Sequence, residues 1–372
     1  MDSRAQFCHH PDCPARGQVG QGNIRVHSRK ERRYRCTLCG KTFAETKGTP
    51  FYRLETLQTW VTLVVTLLCH GCPVQAIVAA FGFDERSVTN WWLRSGKHCE
   101  EVHQHLVQQG KVDLKHVQAD ELWVKVVARK LWMAMALAVP SRLWLGGVIS
   151  EHRDKTLITP LVERVRSCAQ RLDLLVCVDG VQSYVKAFLK VFRNPVYTGR
   201  RGRPKRVLAT GFVMGQVIKQ YAKRPIVGVN HKVVQGTHQA IQAVLQATGT
   251  GKDIHTSYIE RLNATSRSHL AALVRRGRGI AHKPLTLQAG MFVVGSAYNF
   301  CWYHASRRLQ APVGARYKWE EQTPAMAAGL TDHRWTLFEL LSYQVPLPAW
   351  VEPKRRRQRP TAVYQLGKAL PA

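Results

Sequence analysis

Along the first third of the chain the apolar residues recur at helical spacing. Leu54, Leu57, Val61, Val64, Val65 and Leu68 lie on one stripe and predict a helix from about Leu54 to Cys69. Gly71-Cys72-Pro73 stops it, and Val74–Phe81 predicts a short second helix. Gly82 punctuates, and Asp84 stands where a side-chain cap would open a third helix reaching about His98. From Asp113 the pattern turns strand-like. His116–Val127, Leu131–Val139 and Leu143–Ile149 are rich in Val, Leu and Trp and predict three strands. A helix is expected over Lys155–Cys168 and a short buried strand over Leu174–Val178. Residues 194–255 read as an insertion, Arg/Gly/Pro-rich at first, and a helix carrying Glu260 follows. After Arg307 the pattern thins, and Lys354-Arg355-Arg356-Arg357 opens a basic end expected to be loose. No internal repeat is visible. The segments divide at 1–50, 51–112, 113–305 and 306–372, the last a C-terminal extension.

Composition narrows the class. Of 372 residues, 45% are hydrophobic, which supports folded domains rather than wholesale disorder. The balance of 55 Lys+Arg against 24 Asp+Glu leaves a formal charge of +31, and a surplus of that size points to a polyanionic partner, nucleic acid ahead of an anionic membrane. The longest apolar stretch, Trp60–Cys69, is too short to span a bilayer, so no membrane association is expected. Met1-Asp2-Ser3-Arg4 shows no charged-then-apolar signal pattern, and a cytoplasmic protein, nucleoid-associated when bound to DNA, is the expectation.

Two of the close cysteine pairs carry chemistry. Cys8 and Cys13 form C-x4-C, and Cys36 and Cys39 form C-x2-C; four thiolates from two knuckles suit a tetrahedral structural Zn²⁺. So short a segment has little core, and the metal would supply much of its folding energy. His9 lies inside the first knuckle and could replace one cysteine. Cys69 and Cys72, at the end of an apolar helix, read more simply as buried thiols. The three helices that follow, with a turn of about three residues at Gly82, have helix-turn-helix spacing. Val88, Trp91 and Trp92 would face the core, leaving Arg86, Thr89, Asn90 and Arg94 outside to meet base edges. The same spacing also serves an ordinary three-helix packing unit.

Acids are informative where they are scarce. From Val181 to Trp319 the only two are Asp253 and Glu260. Earlier, Asp120 lies within an apolar strand and Asp179 ends another. Three antiparallel strands, a helix and a fourth strand parallel to the first is the order of a ribonuclease H-like domain, in which strands one and four are neighbours. Asp120 and Asp179 would then converge near strand C-termini, where open α/β sheets gather ligands, and Glu260 would close the site from a helix. Three carboxylates can hold two Mg²⁺ (or Mn²⁺) ions about 3.5–4 Å apart, one activating the attacking hydroxyl and the other stabilising the leaving oxygen. Successive strand residues point to opposite faces, so only one of Asp120 and Glu121 can enter; Asp120 is preferred. Asp173 reads as a solvated turn acid, Asp253 as a loop or cap residue, and Asp154 as a helix cap. Tyr221, Tyr298 and Trp302 are expected in the core.

The residues resemble a family at this point. Tyr34-Arg35-Cys36-Thr37-Leu38-Cys39-Gly40-Lys41-Thr42-Phe43, Asp120-Glu121-Leu122-Trp123, Val178-Asp179-Gly180 and Tyr258-Ile259-Glu260-Arg261-Leu262-Asn263 resemble bacterial DDE-type insertion-sequence transposases, especially the class named after insertion sequence one. The resemblance covers about residues 8–305. It implies metal-binding catalytic roles for Asp120, Asp179 and Glu260, and contact with the DNA end for Arg267, seven residues after the glutamate. Positions 260, 263, 264 and 267 share a helix face, so Asn263 and Arg267 would both lie beside the metals and the DNA. One departure is the spacing of 81 residues between Asp179 and Glu260, longer than the family's usual, which the insertion would account for. Within it, Gly199-Arg200-Arg201-Gly202-Arg203-Pro204-Lys205-Arg206 resembles an AT-hook, with Arg201 and Arg203 entering a minor groove; a flexible phosphate-binding loop has the same composition.

The expected whole is a multidomain α+β protein: a small zinc ribbon, a helical helix-turn-helix domain, and a ribonuclease H-like α/β domain with a mixed sheet and an insertion. It would cut and join double-stranded DNA, as a homodimer or larger assembly on two element ends. A DNA-binding regulator derived from such an enzyme and a structure-specific nuclease of the same fold are the competing readings.

Overall fold

The computed structural model describes residues 1–126, 129–197, 199, 202–222, 225–274, 283–312 and 314–352. Two compact units separate. One is Met1–Lys47 with the described residues from Pro346 on; the other is Gly48–Val345.

The first unit is a three-stranded antiparallel sheet, β1 (Ile24–Ser28), β2 (Arg33–Cys36) and β3 (Thr42–Ala44), in that order. Its core is small: Ala15, Ile24, Tyr34 and Phe43 pack around the four cysteines.

The second unit opens with three helices, α1 (Gln58–Cys69), α2 (Val74–Phe81) and α3 (Glu85–His103). Asp84 caps α3, its carboxylate accepting from the Arg86 and Ser87 amides. Gly82, at φ +68°, takes the left-handed turn that ends α2. Next come β4 (His116–Val126), β5 (Arg129–Ala138), β6 (Leu143–Ser150), α4 (Lys155–Cys168), β7 (Leu175–Asp179) and α5 (Gln182–Val191). An exposed two-stranded ribbon follows, β8 (Arg193–Val196) and β9 (Lys205–Leu208), then β10 (Val213–Tyr221), β11 (Ile226–Gln235), α6 (His238–Thr248), α7 (Ser257–His269) and α8 (Pro284–Phe300). A short pair, β12 (Leu309–Gln310) and β13 (Trp319–Glu320), precedes α9 (Pro324–Ala327) and α10 (Leu337–Ser342).

The large sheet has the order β11-β10-β7-β4-β5-β6. β4, β5 and β6 are antiparallel neighbours, β7 runs parallel to β4 and to β10, and β11 returns antiparallel. The chain is thus α+β, with a small cysteine-bearing sheet, a set of helices and a six-stranded mixed sheet flanked by helices. Among the described residues, no helix is long and apolar enough to cross a membrane.

Three sequence expectations need correction. The helices after residue 50 are not a separate body: Val61, Val65, Val88 and Trp91 share one apolar core with the sheet. The reason is α8, buried on nearly every side, as a helix apolar all round must be. It packs on α3 so closely that a Cβ at Gly96 would lie 2.3 Å from Ala289 Cα, and on β6 so closely that a Cβ at Gly295 would lie 2.4 Å from the Trp144 ring. Second, the expected insertion supplies two strands of the large sheet, β10 and β11, and a helix packed on it, α6. β10 pairs with β7, and α6 covers it through Ile241 and Leu245 against Leu175, Cys177 and Val217; only the β8–β9 ribbon stands outside. The extension after residue 305 contributes Trp335, Leu340 and Leu341 to the main core. Its basic end lies outside the described residues. Third, of the aromatic residues expected in the core, Tyr298 is buried and Trp302 packs partly buried against it, but Tyr221 is exposed at the end of β10.

Candidate functional site

The four knuckle cysteines converge. Their Sγ atoms all lie within 4.8 Å of one another, with Cys8–Cys39 at 3.6 Å and Cys13–Cys36 at 3.9 Å. A disulfide needs sulfurs about 2.05 Å apart, whereas a tetrahedron with ~2.3 Å zinc–sulfur bonds has edges of about 3.8 Å. The spacing fits the metal. Burial pushes the Cys8 and Cys13 thiols up. For Cys36 burial is outweighed by backbone N–H groups of Cys39 and Leu38, which bring it to about 7, so one thiolate is already favoured before metal arrives. His9 is outside the cluster. Its ring packs between Phe7 (4.7 Å) and Phe43 (5.0 Å), and burial lowers it to about 4, a neutral packing residue.

The second cluster sits at the C-terminal end of β7. β4 and β7 pair in parallel from His116↔Leu175 to Ala119↔Val178. One residue further, Asp120 and Asp179 come side by side on the same face of neighbouring strands, as parallel register demands. Glu121 joins them: one ligand oxygen from each of Asp120, Glu121 and Asp179 lies within 4.8 Å of the others. Strand alternation alone assigned Glu121 to the far face and kept it out. The pairing with β7 has ended by then, and the longer side chain brings a carboxylate oxygen into the group. Its Oε2 is buried with no hydrogen-bond partner among the described residues.

Two cations flank the acids. Arg153 donates from Nε to Glu121 Oε1 (2.5 Å), stands 3.6 Å from Asp179 Oδ2, and lies over the Trp132 ring at 4.9 Å. Lys219, from β10, pairs with Glu260 at 2.6 Å. Burial, then the Glu121 and Asp179 charges, pushes Asp120 up to about 7; burial and Glu121 raise Asp179 to about 6. Carboxylates that outnumber their flanking cations in a poorly solvated place have these properties.

Glu260 is on the first turn of α7, on the side of the sheet that bears Asp120. It is not within the 4.8 Å group, because Lys219 and the Thr256 hydroxyl (3.1 Å) hold its carboxylate. Asn263, expected to meet DNA, is instead 3% exposed and donates from Nδ2 to Asp120 Oδ2 at 2.8 Å; burial makes it an orienter of the aspartate. Gln118 went unnoticed in the sequence. It accepts from the Tyr258 and Ile259 amides and donates to the His255 carbonyl, so it pins the start of α7 to β4. The available signal was its place two residues before Asp120, on the same strand face.

The remaining expected residues fall as follows. Arg86 and Asn90 are exposed on α3 and Thr89 is half-buried. Arg94 departs from the expectation: it is half-buried, and its guanidinium donates to the Tyr52 carbonyl, which engages it in the fold. Arg267 is half-buried on α7. Arg203 is exposed between β8 and β9, while Arg201 lies outside the described residues. Asp154 caps α4, Asp173 pairs with Arg171, and Asp253 pairs with His231 at 2.7 Å and bonds the Ile254 amide. Compared with models of known protein families and with curated proteins, the chain matches none.

Proposed function

We propose that this protein is a DDE-type DNA transposase, with a zinc ribbon, a helix-turn-helix unit and a ribonuclease H-like catalytic domain that cleaves and transfers strands of double-stranded DNA. One observation carries the reading: two aspartates at matched ends of neighbouring parallel strands, with a third carboxylate within 4.8 Å, beneath a helix that bears a further glutamate. The strand order supports it, since three antiparallel strands, a helix and a strand parallel to the first bring Asp120 and Asp179 to one place. The charge of +31 supports a polyanionic substrate.

The donor set fits hard divalent cations: it is all oxygen, and one buried glutamate oxygen lacks a partner. Asp120, Glu121 and Asp179 would hold Mg²⁺ (or Mn²⁺), and Glu260 would join them on leaving Lys219. Bound there, the ions would make a water or 3′-hydroxyl more acidic and take up charge on the scissile phosphate. The protein's own groups prepare that chemistry. Asn263 fixes the rotamer of Asp120, and Gln118 fixes where α7 delivers Glu260. Arg153, held on Trp132, offsets the Glu121 and Asp179 charges. Arg267, one turn beyond Asn263, would contact the DNA end, the role that the family resemblance implies for it. Arg86 and Asn90 are the exposed α3 side chains suited to base edges. Synapsis of two element ends would require at least a dimer, and the work would be done inside the cell on chromosomal DNA.

The test is Asp179→Asn. Metal-dependent cleavage of duplex carrying the element's ends is expected to fall by at least ~10³-fold, in line with loss of a group acting mainly in the transition state, while binding to the same duplex is unchanged. Cleavage at the wild-type rate would overturn the assignment.

A further inference from the structure

The β8–β9 ribbon has no task in the catalytic centre, and only Leu208, at its base, packs against the core. All of β8 and the first three residues of β9 are exposed, so both faces meet solvent. A lone two-stranded ribbon is marginal in water, and this one is held at its base. Arg166 of α4 donates to the Arg193 carbonyl (3.2 Å) and to Asn194 Oδ1 (2.9 Å), and the Ala209 amide donates to the Phe192 carbonyl (2.9 Å). From Arg193 to Leu208 the sequence carries Arg193, Arg200, Arg201, Arg203, Lys205 and Arg206 and no acid. Register puts Arg193 and Arg206 on one face and Lys205 on the other with Val196 and Val207. Like charges so close repel; burial and the Arg206 charge together hold Arg166 below its ordinary range. Apolar surface is exposed beside the cations: Tyr197 is 79% accessible, with Val196 and Val207 near it. An anchored basic arm that exposes an aromatic ring and has no counter-charge of its own is complementary to a polyanion with apolar surface between its charges.

We infer that this ribbon is a DNA-contacting arm, lying in the major groove of duplex DNA with Arg203, Lys205 and Arg206 on phosphates and Tyr197 against the base edges. The major groove, about 12 Å wide, admits a two-stranded ribbon without deformation, whereas the minor groove, about 6 Å wide, must be opened and the duplex bent to take one. The inference rests on the reading of the chain as a DNA enzyme, but it concerns binding and is measured without metal.

The experiment is equilibrium binding of the full-length chain to a labelled duplex across a salt series in EDTA. Each phosphate contact contributes about 0.9 to the slope of log K against log salt. Arg203→Ala/Lys205→Ala/Arg206→Ala is therefore expected to reduce the slope by roughly 2–3, and the charge-conserving Arg203→Lys/Lys205→Arg/Arg206→Lys to restore it. Tyr197→Ala is expected to weaken binding roughly fivefold with the slope unchanged, the loss of one apolar contact with base edges. Wild-type slope and affinity in the triple alanine variant would overturn the arm and leave the DNA reading standing. A wild-type chain that binds no duplex would overturn both. Loss of the ribbon's contribution on adding a minor-groove ligand would overturn the assignment to the major groove.

Discussion

Replacing Asp120 with Asn should stabilise the metal-free protein while removing its response to Mg²⁺. In the native state the Asp120 carboxyl is pushed from an ordinary 3.8 to about 7, by burial first and then by Glu121 and Asp179. At about 1.4 kcal/mol for each tenfold change in proton affinity, the ionised form costs of the order of 4 kcal/mol without metal. Asp120 keeps some access to water and shares the strain with Asp179, itself at about 6, so one neutral replacement should recover about half, ~2 kcal/mol. Because the raised groups bind more protons folded than unfolded, stability without metal is fullest below the ordinary carboxylate range and falls as pH rises from about 4 to 7. Above that window the cost is complete, and there the variant should melt roughly 3 °C higher than wild type in EDTA, given the size of the Gly48–Val345 unit. Asn retains an oxygen that can accept from Asn263, so the hydrogen bond at 2.8 Å need not be lost. Thermal unfolding by circular dichroism, in EDTA and in excess Mg²⁺, reads both effects. Wild type should gain stability from Mg²⁺ and lose its acid-to-neutral decline; the variant should do neither. A variant that melts at or below wild type at neutral pH in EDTA, or that gains as much from Mg²⁺, would refute the electrostatic account of the cluster.

Two further outcomes test other parts of the molecule. Cys36→Ser removes the thiolate that backbone amides favour, and bound zinc, measured by mass spectrometry, should fall from one ion per chain towards none; full zinc content in the variant would exclude the four-cysteine site. Gly96→Ala adds a Cβ 2.3 Å from Ala289 and should destabilise the chain by about 1–3 kcal/mol in a denaturant titration. The sign is diagnostic, since the same change in an open helix stabilises by about 1 kcal/mol.

Periodicity made much of the fold legible. The strands over His116–Val126, Leu143–Ser150 and Leu175–Asp179 and the helix Lys155–Cys168 lie where local pattern puts them, because each buries a face that its own residues specify. Partnership was not legible. β10 looked like part of an insertion because its Gly, Gln and Lys are unremarkable until β7 lies beside it and α6 covers it. The separate helical domain dissolved for a similar reason: Gly96 and Gly295 signal close approach only once α8 is known to press there. At the centre, the matched aspartates could be read from strand order, but Glu121 could not. Alternation decides where a Cβ points, not where a long side chain ends once the neighbouring strand has stopped. Asn263 shows the opposite limit, since a polar residue on the right helix face can be spent inside the site rather than offered to a ligand.

The same electrostatics bear on why a chain with so large a positive excess keeps acids together at all. Four carboxylates, from Asp120, Glu121, Asp179 and Glu260, face two cations, Arg153 and Lys219. A phosphodiester drawn in by the basic surface would meet this locally negative patch and be repelled from it. Under the proposed reading that repulsion has a use, because DNA is held close by the surrounding arginines and lysines but kept from the reacting position until divalent charge is present. Arg153 and Lys219 then have two roles set by one geometry. Without metal they lower the cost of gathering the acids. Were Glu260 to exchange Lys219 for an ion, the lysine would be freed beside the site, where Asp120, Asp179 and a bound phosphate would be its neighbouring anions.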